Sequence, residues 1–165
     1  MPVKQEPINI KIRISKQKLY LCKSKRMIKQ YSISTSRYGI GNKLNSNKTP
    51  FGLHRIYSKI GKNALIGAIF KKRRFRGKYS KIYKKSAPDR TDFITTRIIR
   101  LEGLEKGINK GMGIDSLERC IYIHGTPNEA LIGKPVSCGC IRLKNKDIIE
   151  LFNLVKRGNL VKIER

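Results

Sequence analysis

The sequence predicts a mainly β protein, a β-sandwich or open barrel with one main α-helix near the C-terminus. Three observations predict this class. Short alternations of apolar and polar residues recur along the chain, Gly-, Pro- and Asn-rich turns separate them, and only one segment has helical apolar periodicity. A length of 165 residues suits one domain with a full-sized hydrophobic core. We therefore expect residues 1–165 to form a single domain.

The N-terminal half has the pattern of a β-meander. Isoleucines alternate with polar residues from Ile8 to Ile14, which is the period of a half-buried strand. Further strands are predicted at 19–21, 27–33 and 53–57. The segment 39–50 is rich in Gly, Asn and Ser and is predicted to be a loop.

The segment 71–90 is basic and has little apolar periodicity. It is predicted to be an exposed excursion, a long loop or a flap over one face of the domain. Phe75, Tyr79 and Tyr83 are interleaved with its charges. These rings could stack on sugars or bases, or they could pin the segment to the body of the domain.

The C-terminal part supplies the remaining elements. A strand is predicted at 93–101, a glycine-rich loop at 103–113, and a short β-prone run at 120–123 that brings His124 to a strand end. The helix is predicted from an N-cap at Asn145 to a stop at Gly158, with a closing strand at 160–163. Asp147 lies in its first turn, and its apolar face consists of Ile148, Ile149, Leu151, Phe152 and Val155.

The charge of the chain is large and unevenly distributed. The formal net charge is +27, and residues 1–88 carry 24 Lys and Arg against one acidic residue, Glu6. Such a field predicts non-specific binding of polyanions through the basic N-terminal half, although lysines on a solvated surface would give the same composition. No apolar run approaches the length of a bilayer-spanning helix, so no membrane span is expected.

A cysteine and a histidine near the C-terminus suggest nucleophilic catalysis. His124 lies sixteen residues before Cys140, which Gly139 precedes and Arg142 closely follows. An imidazole can take the thiol proton, and the backbone N–H groups of Gly139 and Cys140 could form an oxyanion hole. Arg142 could hold a substrate carboxylate in bidentate fashion. We interpret this group as a cysteine acyl-transfer site that needs no metal and no cofactor.

These residues resemble the signature of L,D-transpeptidase (YkuD-type) catalytic domains. The resemblance rests on YIHGT at 122–126, Gly133 and SCGCIRL at 137–143. It extends to Gln17 with the strand at 19–21, to the strand end at 32–35 and to TPFG at 49–52. It covers nearly the whole chain and is weakest over 71–90.

The resemblance implies an L,D-transpeptidase that acts on peptidoglycan stem peptides. Cys140 would attack the carbonyl that links an L-centre to a terminal D-alanine, leaving a thioester acyl-enzyme. An amine of a second stem peptide would resolve it as a 3→3 cross-link, whereas a protein lysine, a D-amino acid or water are the other possible acceptors. Members of this family are typically acylated by carbapenems.

The same resemblance implies a role for each motif residue. His124 would act as general base and then acid, with one ring nitrogen held by the backbone carbonyl of Gly125. Ser137 would support the site by hydrogen bonding, and Tyr122 and Arg142 would shape the substrate site. The family works in the periplasm or cell wall, yet the N-terminus lacks the apolar core of a secretory signal, so cytoplasmic work or unconventional export stays open.

The other cysteines leave alternatives open. Cys120, His124, Cys138 and Cys140 could form a Cys₃His zinc site, although a C-x-C pair is tighter than the usual ligand spacing. Cys138 occupies the variable position of the motif and is either inert or a redox partner of Cys140. A nucleic-acid-binding module, a papain-like hydrolase and an L,D-carboxypeptidase are the remaining alternatives. His54 is assigned a surface or packing role.

Overall fold

A computed structural model describes residues 6–85 and 92–165, which form ten strands and one α-helix. The mainly β class and the single main helix near the C-terminus are therefore confirmed. In chain order the elements are β1 (Ile8–Arg13), β2 (Lys18–Lys23), β3 (Arg26–Ser32), β4 (Gly52–Ile60), β5 (Ala68–Lys71), β6 (Arg74–Tyr79), β7 (Ile94–Gly103), β8 (Tyr122–Gly125), β9 (Ile141–Leu143), α1 (Asn145–Leu154) and β10 (Leu160–Glu164).

The strands form one mixed sheet in the order β3-β2-β1-β10-β4-β7-β5-β6, and β8 and β9 branch from β7. Most neighbours are antiparallel. The parallel pairs are β1 with β10 and β8 with β9. Parallel neighbours need a crossover connection. The loop from 126 to 140 provides it, so that β9 runs beside β8 in the same direction. This crossover brings the two halves of the predicted motif together.

The alternating isoleucines and leucines of the sequence line one main core. Ile10, Ile12 and Leu19 are fully buried there, together with Ile123 and Ile141 from the motif strands. Each such side chain contributes about 1.5–3 kcal/mol relative to an exposed one. Helix α1 covers β7 and β8 and adds Ile148, Leu151 and Phe152 to the core. The motif strands are consequently fixed by core packing on one face.

The segment 71–90 differs from its prediction as a loop or flap. Residues 74–79 form β6, which pairs with β5 in a hairpin. All residues of β6 are exposed, so no apolar alternation marks it as a strand. Phe75 packs against Phe70 and Tyr79 at ring-centroid distances of 6.2 and 5.5 Å, which pins the hairpin. Part of the predicted excursion, 86–91, lies outside the described residues.

Three element boundaries also differ from prediction. Strand β8 covers Tyr122–Gly125 rather than 120–123, because Cys120 takes a left-handed conformation with φ of 55° and turns the chain. Asn145 is the first residue of α1 rather than its N-cap, which is Lys144. The helix ends at Leu154 because Val155 is extended, and Gly158 lies in the turn before β10. No helix in 6–85 or 92–165 has the length and apolar character needed to span a bilayer.

Candidate active site

The parallel β8–β9 pair forms the floor of the candidate site. Its register aligns Ile123 with Ile141 and His124 with Arg142. Because side chains alternate across a strand, His124 and Arg142 share one face, and both isoleucines point into the core on the other. Tyr122 and Cys140 lie two positions before His124 and Arg142, so they belong to the same face. The fold thus brings the four chemically active side chains of the motif onto one surface.

The imidazole of His124 is buried and oriented. Its Nδ1 lies 2.7 Å from the backbone carbonyl of Gly125, the contact that the family resemblance implied. A carbonyl only accepts, so Nδ1 carries the proton and Nε2 is left with a lone pair. Burial lowers the pKa of His124 to about 4, against a smaller raising effect from Gly125. At neutral pH the ring is therefore a neutral base.

Position 125 has no room for a side chain larger than that of glycine. A Cβ at this position would lie 2.6 Å from the backbone oxygen of Thr95 and 2.7 Å from Oδ1 of Asn145. The close approach of β7 and of the start of α1 fixes the peptide whose carbonyl holds His124. The orientation of the imidazole thus depends on backbone packing that only glycine permits.

The sulfur of Cys140 is partly buried and lies between two backbone groups. The Tyr122 N–H donates to it at 3.4 Å, and the thiol donates to the Cys120 carbonyl at 3.4 Å. Burial raises the pKa of Cys140 to about 11, although the Tyr122 N–H and the Arg142 charge act in the opposite direction. The thiol is accordingly protonated at neutral pH and would have to pass its proton to a base in order to act as a nucleophile. Here it donates to Cys120 rather than to His124, so such an attack would require the thiol to turn.

Ser137 organises the loop that precedes the nucleophile. Its hydroxyl donates to the Cys140 carbonyl at 2.6 Å and accepts from the Gly139 N–H at 3.3 Å. Gly139 has φ of +125°, a conformation that favours glycine. The predicted pair of oxyanion donors is therefore only half available, because the Gly139 N–H already has an acceptor. Within the described residues, the Cys140 N–H has no protein acceptor.

An N-terminal segment holds the nucleophile loop from the other side. Ser34 and Arg142 exchange two backbone hydrogen bonds of 2.9 Å, and the Ser137 N–H donates to Thr35 at 2.9 Å. The Thr49 hydroxyl donates to the Gly139 carbonyl at 3.0 Å. The regions around 32–35 and 49–52, which carried part of the family resemblance, thus position the cysteine.

Arg142 is buried and already paired. Only 9% of its side chain is exposed, and its Nη2 lies 2.6 Å from the Asp92 carboxylate. A substrate carboxylate would have to displace Asp92 to bind it, which differs from the open clamp that the sequence suggested. Its positive charge nevertheless lowers the pKa of both Cys140 and His124. Arg142 is therefore placed to stabilise a thiolate.

Asn145 is a site residue that sequence reasoning assigned only to a helix cap. Its side chain is buried and donates to the Thr126 carbonyl at 2.8 Å and to the Glu129 carboxylate at 2.9 Å. Its oxygen accepts from the hydroxyls of Thr95 and Thr96 at 2.7 and 2.5 Å. Asn145 thereby joins α1, β7 and the segment that follows His124. Its place directly after the SCGCIRL stretch and Lys144 was the one signal that could have identified it.

Two arginines near the site were also missed. Arg119 donates to the backbone carbonyls of Gly41 and Lys48 at 3.1 and 2.5 Å. Burial lowers the pKa of Arg119, and its interaction with Cys140 opposes that effect. Arg73, in the β5–β6 turn, donates to the Tyr122 hydroxyl at 3.2 Å. Burial raises the pKa of Tyr122, and Arg73 opposes that effect. Among 38 Lys and Arg, nothing in the sequence distinguished these two.

The zinc alternative has no geometric support in the described residues. No group of three or more His, Cys, Asp or Glu side chains in 6–85 and 92–165 is arranged to hold a metal ion. Cys120 and Cys138 are exposed thiols, and Cys140 is partly buried against the Ala68 and Phe70 cluster.

His54 is a packing residue, as predicted, but it is fully buried rather than on the surface. Its ring nitrogens contact the Gly52 carbonyl at 3.0 Å and the Ser116 hydroxyl at 2.9 Å. It offers a second buried histidine that takes no part in the site.

Comparison with known proteins places this geometry in a family. The model of the L,D-transpeptidase (YkuD) catalytic domain matches residues 7–163. The YkuD protein of Bacillus subtilis (strain 168) is 60% identical over 43 residues, which is 26% of this chain and 26% of that protein.

Solved structures share the fold at low identity. An L,D-transpeptidase from Mycobacterium smegmatis superimposes with a TM-score of 0.58 and 12% identity over 97% of this chain and 59% of that chain. L,D-transpeptidase 3 from Mycobacterium tuberculosis, in complex with a faropenem-derived adduct, gives 0.58 and 16% over 97% and 61%. This chain thus spans about 60% of those chains, and the curated match spans about a quarter of YkuD. The chain belongs to the L,D-transpeptidase catalytic domain family.

Proposed function

We propose that this domain is a cysteine acyltransferase that cross-links peptidoglycan stem peptides by L,D-transpeptidation. One observation carries the proposal. His124 and Cys140 lie on the same face of the β8–β9 pair, and the Gly125 carbonyl fixes the imidazole in the tautomer that leaves Nε2 free. A neutral base on the same face as a protonated thiol is an arrangement that supports thiol-dependent acyl transfer.

In the first half-reaction, Nε2 of His124 takes the thiol proton as the Cys140 sulfur attacks the carbonyl before the terminal D-alanine. A C–S bond forms and the electron pair of the carbonyl moves to oxygen. The C–N bond then breaks, and His124 returns the proton to the departing amine. The products are free D-alanine and a thioester on Cys140.

In the second half-reaction, an amine of another stem peptide attacks the thioester. His124 accepts a proton from the amine, a new amide forms, and the C–S bond breaks. The sulfur leaves as a thiolate and recovers the proton from His124. Stem peptides are thus both donor and acceptor, and the enzyme returns to its starting state without a cofactor.

The surrounding residues stabilise charge as it develops. The Cys140 N–H is the available donor to the oxyanion, a contact that contributes about 3–4 kcal/mol where one has been removed from other enzymes. The buried charge of Arg142 favours the thiolate. Ser137 holds the Cys140 carbonyl and so fixes the backbone of that residue, whose N–H would donate to the oxyanion. We assign Tyr122 to the wall of the substrate site, beside the sulfur that its own N–H contacts.

The same chemistry would open a strained lactam. The Mycobacterium tuberculosis neighbour is in complex with a faropenem-derived adduct. We propose that Cys140 of this chain is acylated by faropenem and by carbapenems. The compounds would serve as reporters of the nucleophile without requiring a stem-peptide acceptor.

We further propose that the basic N-terminal half associates with anionic polymers near the substrate, outside the cytoplasmic membrane where family substrates lie. Its charge supports this proposal, because residues 1–88 contain 24 Lys and Arg but only one acidic residue. Such association would be salt-sensitive and would concentrate the enzyme without taking part in the chemistry.

Turnover of a defined donor tests the proposal. The protein is incubated with a disaccharide tetrapeptide that ends in D-alanine, with and without a second stem peptide, and products are identified by mass spectrometry. We expect D-alanine release and a cross-linked dimer from wild type and Cys138→Ala, and neither from Cys140→Ala. A tripeptide without dimer would instead identify an L,D-carboxypeptidase, and no D-alanine release would refute both activities.

A further inference from the structure

The guanidinium of Arg73, from the β5–β6 hairpin, contacts Tyr122 at the edge of the face that carries His124 and Cys140. Arg73 lies in the two-residue turn between β5 and β6, and its Nη1 donates to the Tyr122 hydroxyl at 3.2 Å. At the other end of the same residue, the Tyr122 N–H donates to the Cys140 sulfur at 3.4 Å. One tyrosine therefore separates the Arg73 guanidinium from the nucleophile.

The conformation of this turn is unfavourable for the residues it contains. Lys72 and Arg73 have φ of 49° and 65°, in the left-handed region that hairpin turns of this length usually fill with Asn and Gly. A long cationic side chain at such a position lowers the stability of the turn, and it adds no packing to the core. Local strain of this kind is commonly retained where a side chain serves function.

Arg73 also has hydrogen-bonding capacity that the other two arginines near Cys140 lack. Arg142 is buried and paired with Asp92, and Arg119 donates to two backbone carbonyls. Arg73 is exposed, and within the described residues its guanidinium has one protein partner, the Tyr122 hydroxyl. Most of its five N–H donors therefore face solvent and are free to bind a ligand.

Arg73 belongs to a strongly positive surface. Lys71, Lys72, Arg74 and Arg76 flank Arg73 and line one depression with it. The sequence has no acidic residue between Glu6 and Asp89. A planar guanidinium with free donors is suited to bind a carboxylate in bidentate fashion.

We propose that Arg73 binds the C-terminal carboxylate of the donor peptide, which belongs to the residue that leaves. This inference rests on the proposed function, because it assigns a recognition residue to the same reaction. The carboxylate belongs to the residue that follows the scissile carbonyl. The two groups are therefore one residue apart, a step for which consecutive Cα atoms are about 3.8 Å apart. Tyr122 contacts both the Arg73 guanidinium and the Cys140 sulfur, so the cation and the nucleophile border the same residue.

The arrangement makes the enzyme specific for chain ends. A donor with a free terminal carboxylate gains charge-assisted hydrogen bonds from Arg73, whereas a terminal amide or a longer peptide does not. Arg142, which the sequence suggested for this task, would be left to support the Cys140 thiolate. Recognition would then come from the β5–β6 turn and chemistry from the β8–β9 pair, with Tyr122 in contact with both Arg73 and Cys140.

Two donors that differ only in the terminal group test the proposal. Initial rates of release from a tetrapeptide ending in D-alanine are compared with those from the same peptide ending in D-alaninamide. For wild type we expect roughly 10- to 100-fold higher kcat/KM for the carboxylate, mostly through KM. Arg73→Gln should remove that preference by slowing the carboxylate donor alone, and Arg73→Lys should restore part of it.

Arg157→Gln is the matched control. Arg157 is an exposed arginine whose guanidinium lies 5.8 Å from the ring of Tyr57. This variant should keep the wild-type preference. A preference retained in Arg73→Gln, or an equal loss on both donors, would overturn the proposal while leaving the proposed function intact. No turnover of either donor by wild type would refute the proposed function and this inference together.

Discussion

The β8–β9 pair and the β5–β6 hairpin both depend on β7, yet they are built in opposite ways. Thr95 of β7 pairs with Ile69 of the hairpin and with Gly125 of the catalytic pair. All residues of β8 and β9 are buried, and every residue of β6 is exposed. One strand therefore carries a rigid chemical site on one side and a solvated, cationic arm on the other.

The buried β8–β9 pair is suited to chemistry, and the exposed β5–β6 hairpin is suited to electrostatic attraction of anions. Burial itself shifts the pKa of a group in the catalytic pair, and a neighbouring N–H or arginine acts on it more strongly there than in water. Exposed lysines and arginines are screened by water and salt, and they act through their number. Single substitutions should thus have large effects in the catalytic pair and small effects in the hairpin, with Arg73 as the link between the two regions.

Removal of the imidazole that we propose as the base should have the largest effect. His124→Ala should lower donor turnover by roughly 10²- to 10⁴-fold, because the thiol then lacks a base. His54→Gln is the control, since His54 is buried with a similarly low pKa of about 4 but lies outside the site. It should keep near-normal kcat at a temperature where it is folded. Equal losses in the two variants would show that buried histidines act here only through stability.

Acid should destabilise the protein through both histidines. Burial lowers the pKa of each from 6.5 to about 4, so between these values the unfolded chain binds more protons than the native protein. Their contribution is complete above pH 6.5 and is lost as the pH falls toward 4. From pH 7 to pH 5 we expect a loss of about 2 kcal/mol per histidine. Urea unfolding at several pH values measures it, and a His54→Gln variant with an undiminished slope would contradict the assignment.

Loss of the Asn145 side chain should destabilise the catalytic pair. Asn145→Ala leaves the hydroxyls of Thr95 and Thr96 and the Thr126 carbonyl without their buried partner. We expect a decrease of about 2–3 kcal/mol in the free energy of unfolding. Asn153→Ala, at an exposed position of the same helix, should change it by less than about 0.5 kcal/mol. Similar values for the two variants would mean that the Asn145 network contributes little.

Neutralisation of the hairpin should have the smallest effect on stability. The triple variant Arg74→Gln, Arg76→Gln and Lys78→Gln removes exposed charges, so its free energy of unfolding should stay within about 0.5 kcal/mol of wild type. Its binding to polyphosphate, followed by titration at several salt concentrations, should weaken and lose part of its salt dependence. A matched triple change at Lys146, Lys156 and Arg157 should weaken binding less. An equal loss would show that the hairpin has no special role.

The two regions also explain what the sequence could predict. The isoleucine alternation from Ile8 identified β1, because burial of one face imposes a period of two. The YIHGT and SCGCIRL stretches pointed to His124 and Cys140 through the family resemblance, whereas the pairing of β9 with β8 was not predicted. β6 was missed since its fully exposed residues carry no apolar period. The Asp92–Arg142 ion pair could not be predicted, because its partners are distant in sequence and become neighbours only through the sheet.

Covalent labelling identifies the nucleophile on which the proposed reaction depends. Wild type, Cys138→Ala and Cys140→Ala proteins are incubated with faropenem, and adducts are located by intact mass and peptide mapping. We expect one adduct, on Cys140, in the first two proteins and none in Cys140→Ala. An unmodified wild type, or an adduct that persists in Cys140→Ala, would contradict this expectation.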